Sequence, residues 1–198
     1  INENINLFFC VKNENDFSQN EEALSLLSPY KSGVADFEKQ EIGVTTELEL
    51  KTPRASETST ESVRKNETIL GNLITNGMLV TARESAPTNN IIFAVQNGGG
   101  IRTSIPAGAI TVGQVKTVLP FANTLAIVDL TGEEIKAMFE HSVGVLPNEN
   151  GGFLHVAGAK VTFDSSLPAG ERVVSVEYLN AAGEYVKVLF DTTTYTIA

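Results

Sequence analysis

The chain has 198 residues, of which 42% are hydrophobic, enough for one well-packed domain or two small ones, and this excludes wholesale disorder. Its 14 Lys and Arg against 24 Asp and Glu give a formal charge of −10, which argues against a nucleic-acid backbone as partner and requires any anionic ligand to be held by a local cluster of donors. The one cysteine, Cys10, cannot form an internal disulfide, and with only His141 and His155 beside it a His/Cys zinc site is excluded, while carboxylate-only metal sites stay open.

Residues 1–19 are rich in Asn, Glu, Asp and Ser, lack either periodicity, and read as a tail or linker. The apolar run from Leu7 into Val11 is far too short to span a membrane and has no basic flank of the signal-peptide kind. Because the chain starts at Ile1, it is read as an excised piece or a processed product.

Ser28 followed by Pro29 suits a helix start, with Tyr30, Val34 and Phe37 near one face and Gly43 just past the end. From Ile42 the pattern turns to strict alternation through Val44, Thr46, Leu48 and Leu50, as in a half-buried strand. Residues 52–62, rich in Ser, Thr and Glu, read as an exposed loop. The three- and four-residue steps of Leu70, Leu73, Ile74, Met78 and Thr81 predict a helix over 68–83 buried along that stripe. The compact apolar run 91–95 reads as a buried strand entering the glycines Gly98, Gly99 and Gly100. Thr111 with Gln114, and Thr131 with Glu134, have capping-box spacing for two further helices, with Pro120 ending the first and a strand at 125–130 between them. The last third reads as antiparallel strands at 153–163, 173–179 and 185–190, with Ala182 and Gly183 as a hairpin turn. This mixture favours an α+β fold over a doubly wound sheet.

The triple-glycine segment has no Gly-Lys-Ser/Thr ending, so it is not a P-loop. It also places Thr103 where a dinucleotide fingerprint needs its third glycine, ahead of the helix-breaking Ile105-Pro106. What survives is a turn whose backbone N–H groups could face a ligand, with Asn97 at its entrance and Arg102 at its exit; spacing alone favours a plain structural turn with a surface arginine. Phe121 after Pro120 could present a stacking face or could plug the core. Arg64 could bring a second positive charge or be an ordinary solvated side chain. The two histidines are assigned to structure or solvent, and the consecutive Glu140, His141 and Ser142 splay around a helix and cannot form a triad. No catalytic residue and no metal ligand is singled out.

Five segments nevertheless occur together in the order of one family. They are Arg64-x-x-Glu67-Thr68-x-Leu70-Gly71-Asn72-Leu73-Ile74, Asn97-Gly98-Gly99-Gly100-Ile101-Arg102, Val118-Leu119-Pro120-Phe121, Leu130-Thr131-Gly132 and Phe139-Glu140-His141-Ser142-Val143. The sequence closely resembles the C-terminal domain of the 5′-nucleotidases. The resemblance runs from about Ile42 to the chain end, and makes residues 1–41 a tail and interdomain linker helix and 42–198 a substrate-recognition domain. It implies a layered α/β/β/α-type domain with a mixed or antiparallel sheet. The implied enzyme is an extracytoplasmic one (secreted, periplasmic or cell-surface, and bacterial) that hydrolyses nucleotides to nucleoside and phosphate.

By the same resemblance, an N-terminal calcineurin-like metallophosphoesterase domain of the parent chain would hold two divalent metal ions, this domain needing no cofactor of its own. Phe121 matches a phenylalanine that stacks on the base, Asn97 an asparagine near the nucleoside, and Arg102 and Arg64 arginines that reach ribose and phosphate, with Gly98, Gly99 and Gly100 forming the loop between them. The family has Asn where Ile69 stands, Asp-Ala where Asn76-Gly77 stand and Gly where Ala122 stands; the last two departures read as packing variation. A segment like Tyr195-Thr196-Ile197-Ala198 leads, in the family, into a Gly-Gly-Asp-Gly-aromatic motif bearing a second stacking ring, so this chain is expected to hold at most one wall of a base sandwich. The alternative is a non-catalytic nucleoside-binding or protein-interaction module.

Overall fold

The computed structural model describes residues 20–53 and 61–198, so the tail at 1–19 and most of the predicted 52–62 loop lie outside the described residues. In chain order the elements are α1 (Glu21–Glu38), β1 (Glu41–Thr46), α2 (Ile69–Ser85), β2 (Ala94–Asn97), a 3₁₀ turn (Gly98–Gly100), β3 (Gly108–Thr111) and α3 (Val112–Val118). They continue with β4 (Val128–Thr131), α4 (Gly132–Val143), β5 (Leu154–Ala157), β6 (Ala159–Phe163), β7 (Val173–Leu179), β8 (Tyr185–Lys187) and β9 (Thr194–Ile197). The fold is α+β, with antiparallel pairs β1–β3, β2–β5 and β4–β9 and a three-stranded sheet β6–β7–β8. A parallel bridge between Ile91 and Thr196, with Ala198 exchanging backbone hydrogen bonds with Phe93 and Val95, ties the β4–β9 pair to β2–β5.

Two helices sandwich this central layer. Leu79 and Ala82 of α2 bury against Ile91, Ala94, Ala157 and Ala198. On the other side Ile135, Phe139 and Val143 of α4 bury with Ile92, Phe93, Val173 and Val176, and the Phe93 and Phe139 rings meet tilted with centroids 5.9 Å apart. The buried Glu140 carboxylate accepts from the backbone N–H groups of Arg172 and Val173 at 3.0 and 2.8 Å, fastening the start of β7 to α4 with both of its oxygens hydrogen-bonded. A third cluster, Val63, Leu70, Ile101, Ile105, Ile110 and Val118, lies directly beneath the glycine turn. Among the described residues, no helix is long and apolar enough to cross a membrane.

Both capping boxes form as their spacing predicts, Thr111 with Gln114 and Thr131 with Glu134. Other boundaries differ, each for a physical reason. The first helix starts at Glu21, because Asn20 caps the Ala23 N–H and Glu21 and Glu22 complement the helix N-terminus; Pro29 lies inside it. Tyr30, Val34 and Phe37 are exposed. Gly43 falls within β1, where the register with β3 shifts, and Ile42, Val44 and Leu48 stay exposed instead of half-buried. The buried stripe of α2 is Leu70, Gly71, Thr75, Leu79 and Ala82, while Leu73 and Thr81 face out.

The predicted 125–130 strand shortens to Val128–Thr131, and the 185–190 strand to Tyr185–Lys187. The predicted 153–163 strand breaks at Gly158, whose φ of +83° carries the chain from the sheet with β2 to the sheet with β7. Strand β9 has no signal in the sequence, since four residues are too short a window for alternation to register. The ends of the predicted 52–62 loop are buried, with the Thr52 N–H donating to Ser104 Oγ and the Ser62 N–H to Asn66 Oδ1, both at 2.9 Å.

Candidate functional site

Strand β2 delivers Gln96 and Asn97 to the edge of the central layer, and the glycine turn then folds back across the segment around Val63. A Cβ placed on Gly98 would stand 2.1 Å from the Val63 carbonyl oxygen, and one on Gly99 2.9 Å from the Gly151 oxygen. The glycines are therefore required by close approach; none of the three has positive φ. The Gly98 N–H donates to the Phe153 carbonyl at 2.7 Å and the Gly99 N–H to the Gly151 carbonyl at 2.9 Å. This corrects the expectation that these donors face a ligand: they fix the turn, whose contribution is shape.

The exit of the turn is tied to the aromatic platform. Arg102 N–H donates to the Val118 carbonyl at the end of α3, two residues before Pro120. The Arg102 Nη1 donates to the Gly99 carbonyl at 3.0 Å, and its guanidinium carbon lies 5.7 Å from the centre of the Phe121 ring, within cation–π range. Phe121 is 58% exposed, so it does not plug the core. The cation lies over the ring on an exposed surface, so a planar ligand has the opposite face of the ring to stack on and an anionic group has the guanidinium.

Arg64 reaches the same turn from beneath. Its carbonyl accepts from the Asn150 N–H at 3.0 Å, and its Cα would lie 3.4 Å from a Cβ on Gly98. Its N–H is held by Ser62 Oγ, and its side-chain Nε is buried without a hydrogen-bond partner. Asn97 braces the turn from the other side: its Nδ2 donates to the Gly151 carbonyl at 3.0 Å, while its Oδ1 accepts from Gln96 Nε2 at 2.9 Å. The structure thus brings Arg102 and Phe121 into direct contact, and joins Arg64 and Asn97 to them through the backbone of the turn.

Gln96 and the turn at 150–152 carry no strong signal in the sequence. An Asn-Gly-Gly string at 150–152 is the sole local signal for the latter. Gln96 becomes visible only when the strand is extended by two residues, which puts its side chain on the same face as Ala94, toward α2.

A cavity of about 190 Å³ opens beside the platform, lined by Phe121, Gln96, Gly100, Ile74 and Met78 among others. That is below the roughly 300 Å³ at which pockets begin to enclose a whole small molecule, and suits one planar ring laid on an open face. Larger cavities, of about 500 Å³ against Phe139, Phe153 and Lys160 and about 620 Å³ near Arg83 and Tyr178, are lined by neither Phe121 nor any of residues 97–102. The site is placed at the smaller one because it adjoins the exposed ring, the guanidinium and a half-buried carboxamide.

Ala122 has φ +51°, a left-handed conformation costing an L-residue about 1–2 kcal/mol. Its difference from the family pattern is therefore a matter of backbone, not of packing. Ala122→Gly is expected to raise stability by up to about 1 kcal/mol, the relieved strain being partly offset by the greater freedom of unfolded glycine. A thermal melt checks this, and an unchanged or lowered midpoint contradicts it.

The remaining titratable candidates have other tasks. His155 is 2% exposed, its Nε2 donates to the Val63 carbonyl at 2.9 Å, and burial pushes its imidazole below the usual range, partly opposed by that bond. A neutral ring with Nε2–H follows, supporting the carbonyl against which Gly98 packs. Ser142 Oγ accepts from the Leu154 N–H, Glu140 holds β7, and His141 is exposed, so these three do not converge. Among the described residues there is no group of three or more His, Cys, Asp or Glu placed to hold a metal ion.

The family model described as 5′-nucleotidase, C-terminal domain, matches residues 41–198. The trifunctional nucleotide phosphoesterase protein YfkN of Bacillus subtilis is 38% identical over 180 residues, which cover 91% of this chain and 12% of that protein. Human 5′-nucleotidase is 37% identical over 127 residues, covering 61% of this chain and 22% of the relative. The crystal structure of a 5′-nucleotidase precursor from Thermus thermophilus superimposes with a TM-score of 0.72 at 41% identity, over 90% of this chain and 33% of that one. The chain thus spans between about an eighth and a third of the length of these relatives.

Proposed function

Because the chain belongs to the family of 5′-nucleotidase C-terminal domains, we propose that it is the nucleotide-recognising part of a metal-dependent phosphoester hydrolase that releases nucleoside and phosphate. The observation that carries this reading is the exposed Phe121 ring beside the Arg102 guanidinium at the glycine turn. A base laid on Phe121 gains stacking energy with any base, since every base has a π-face. Its ribose and phosphate would then run past Arg102 toward Arg64, two cations in a chain of formal charge −10. Holding the nucleoside in this way fixes the leaving group relative to the phosphorus, which lowers the entropic part of the barrier.

The described residues do not fit a metal centre, so no step at phosphorus is derived for them. Activation of the attacking water by two divalent ions is assigned to an N-terminal metallophosphoesterase domain, the partner through which this domain would act. The 198-residue chain alone is accordingly expected to bind adenosine monophosphate and to release no phosphate from it in the presence of magnesium or manganese. Calorimetry combined with a phosphate-release assay checks both halves. Robust metal-dependent hydrolysis by this chain would overturn the division of labour, and absence of binding would overturn the recognition role.

A further inference from the structure

The paired carboxamides of Gln96 and Asn97 leave one hydrogen-bonding atom unassigned, and its identity follows by elimination. The Gly151 carbonyl can only accept, so the Asn97 atom 3.0 Å from it must be Nδ2, and Asn97 Oδ1 must point the other way. Oδ1 can only accept, so the Gln96 atom 2.9 Å away must be Nε2, an orientation supported by the Asn97 backbone carbonyl at 3.3 Å from the same nitrogen. Gln96 Oε1 is then left with no donor among the described residues. The carboxamide as a whole is held, because its Nε2 is tied down and lies where Gly100 leaves room: a Cβ there would approach Nε2 to 2.6 Å.

This oriented acceptor belongs to a half-buried side chain that lines, together with apolar Ile74 and Met78, the same cavity of about 190 Å³ as the Phe121 ring. Resting on the nucleotide-recognition reading above, we infer that Gln96 is the specificity-determining residue of the site. Its Oε1 accepts a hydrogen bond from the exocyclic amino group of a base stacked on Phe121, so the domain selects nucleotides of amino-bearing bases over analogues lacking that group. Asn97, with both ends of its carboxamide already engaged, positions Gln96.

The test compares binding of adenosine monophosphate and purine riboside 5′-monophosphate, which differ by the amino group alone, to wild type, Gln96→Leu and Phe121→Ala. Wild type is expected to favour adenosine monophosphate by about five- to tenfold, the usual effect of one net hydrogen bond. Gln96→Leu should abolish that preference, binding the two ligands with equal affinity, and Phe121→Ala should weaken both ligands. Equal wild-type affinities, or a preference that survives in Gln96→Leu, overturn the assignment of Gln96. If both ligands bind wild type equally and Phe121→Ala still weakens them, only the Gln96 inference fails. Failure of wild type to bind either one overturns the recognition reading together with it.

Discussion

Gly98→Ala is expected to destabilise the protein by about 2–4 kcal/mol and to remove nucleotide binding with it. The new methyl would stand 2.1 Å from the Val63 oxygen and 3.1 Å from the Val63 carbonyl carbon, which are backbone atoms with no rotamer to change. Neither side can withdraw freely. The Val63 oxygen accepts from buried His155, and the Gly98 N–H donates to Phe153, so any separation breaks a buried hydrogen bond as well as the packing of Val63 against Ile101 and Leu70. For a chain of this size the midpoint of thermal unfolding should fall by about 5–15 °C. Gly77→Ala is the control: it lies on α2 with nothing within 4 Å of its would-be Cβ, and there the better helix former should hold or raise the midpoint. A Gly98→Ala protein as stable as wild type would mean that the turn is not held against Val63 as described.

Phe121→Ala is the second large effect, and its signature is opposite in kind. Stacking on an aromatic side chain is worth about 1–3 kcal/mol per base, so affinity for adenosine monophosphate should fall by about 10- to 100-fold. Stability should hardly move, because the ring is 58% exposed and its one ring contact among the described residues is the cation–π approach of Arg102, worth about 0.5–1 kcal/mol at such a site. Phe121→Tyr keeps the face and should retain binding. A large loss of stability would instead identify Phe121 as packing, the reading that its neighbour Pro120 invited from sequence alone.

Legibility of the fold in the sequence tracked how local each determinant is. The boxes at Thr111/Gln114 and Thr131/Glu134 are self-contained in four residues and formed as read. The existence of α2 was legible, but its buried stripe was not: the sheet selects Gly71 and Thr75, small enough for the close approach of β5, where a His155 atom would lie 2.1 Å from a Cβ on Gly71, and turns the larger Leu73 outward. Burial of β1 failed for a related reason, since alternation shows that two faces differ but not whether anything covers the apolar one.

At the site, the motif residues were legible because they lie in short strings. Their mechanics were not. The engagement of the Gly98 and Gly99 N–H groups depends on Gly151 and Phe153, some fifty residues away in sequence, and the orientation of Gln96 depends on Asn97 being anchored to that same distant turn. Ala122 shows the converse: a one-residue departure from a family pattern acquires its meaning from a φ angle.

The glycine turn and Phe121 are the proposed nucleotide-recognition surface. Titration of adenosine monophosphate into the wild-type chain and Phe121→Ala, with thermal melts of both proteins, tests it most directly. Saturable binding to wild type is expected, with an affinity about 10- to 100-fold weaker in Phe121→Ala and melting midpoints that nearly coincide. Equal affinity in two equally stable proteins would contradict it.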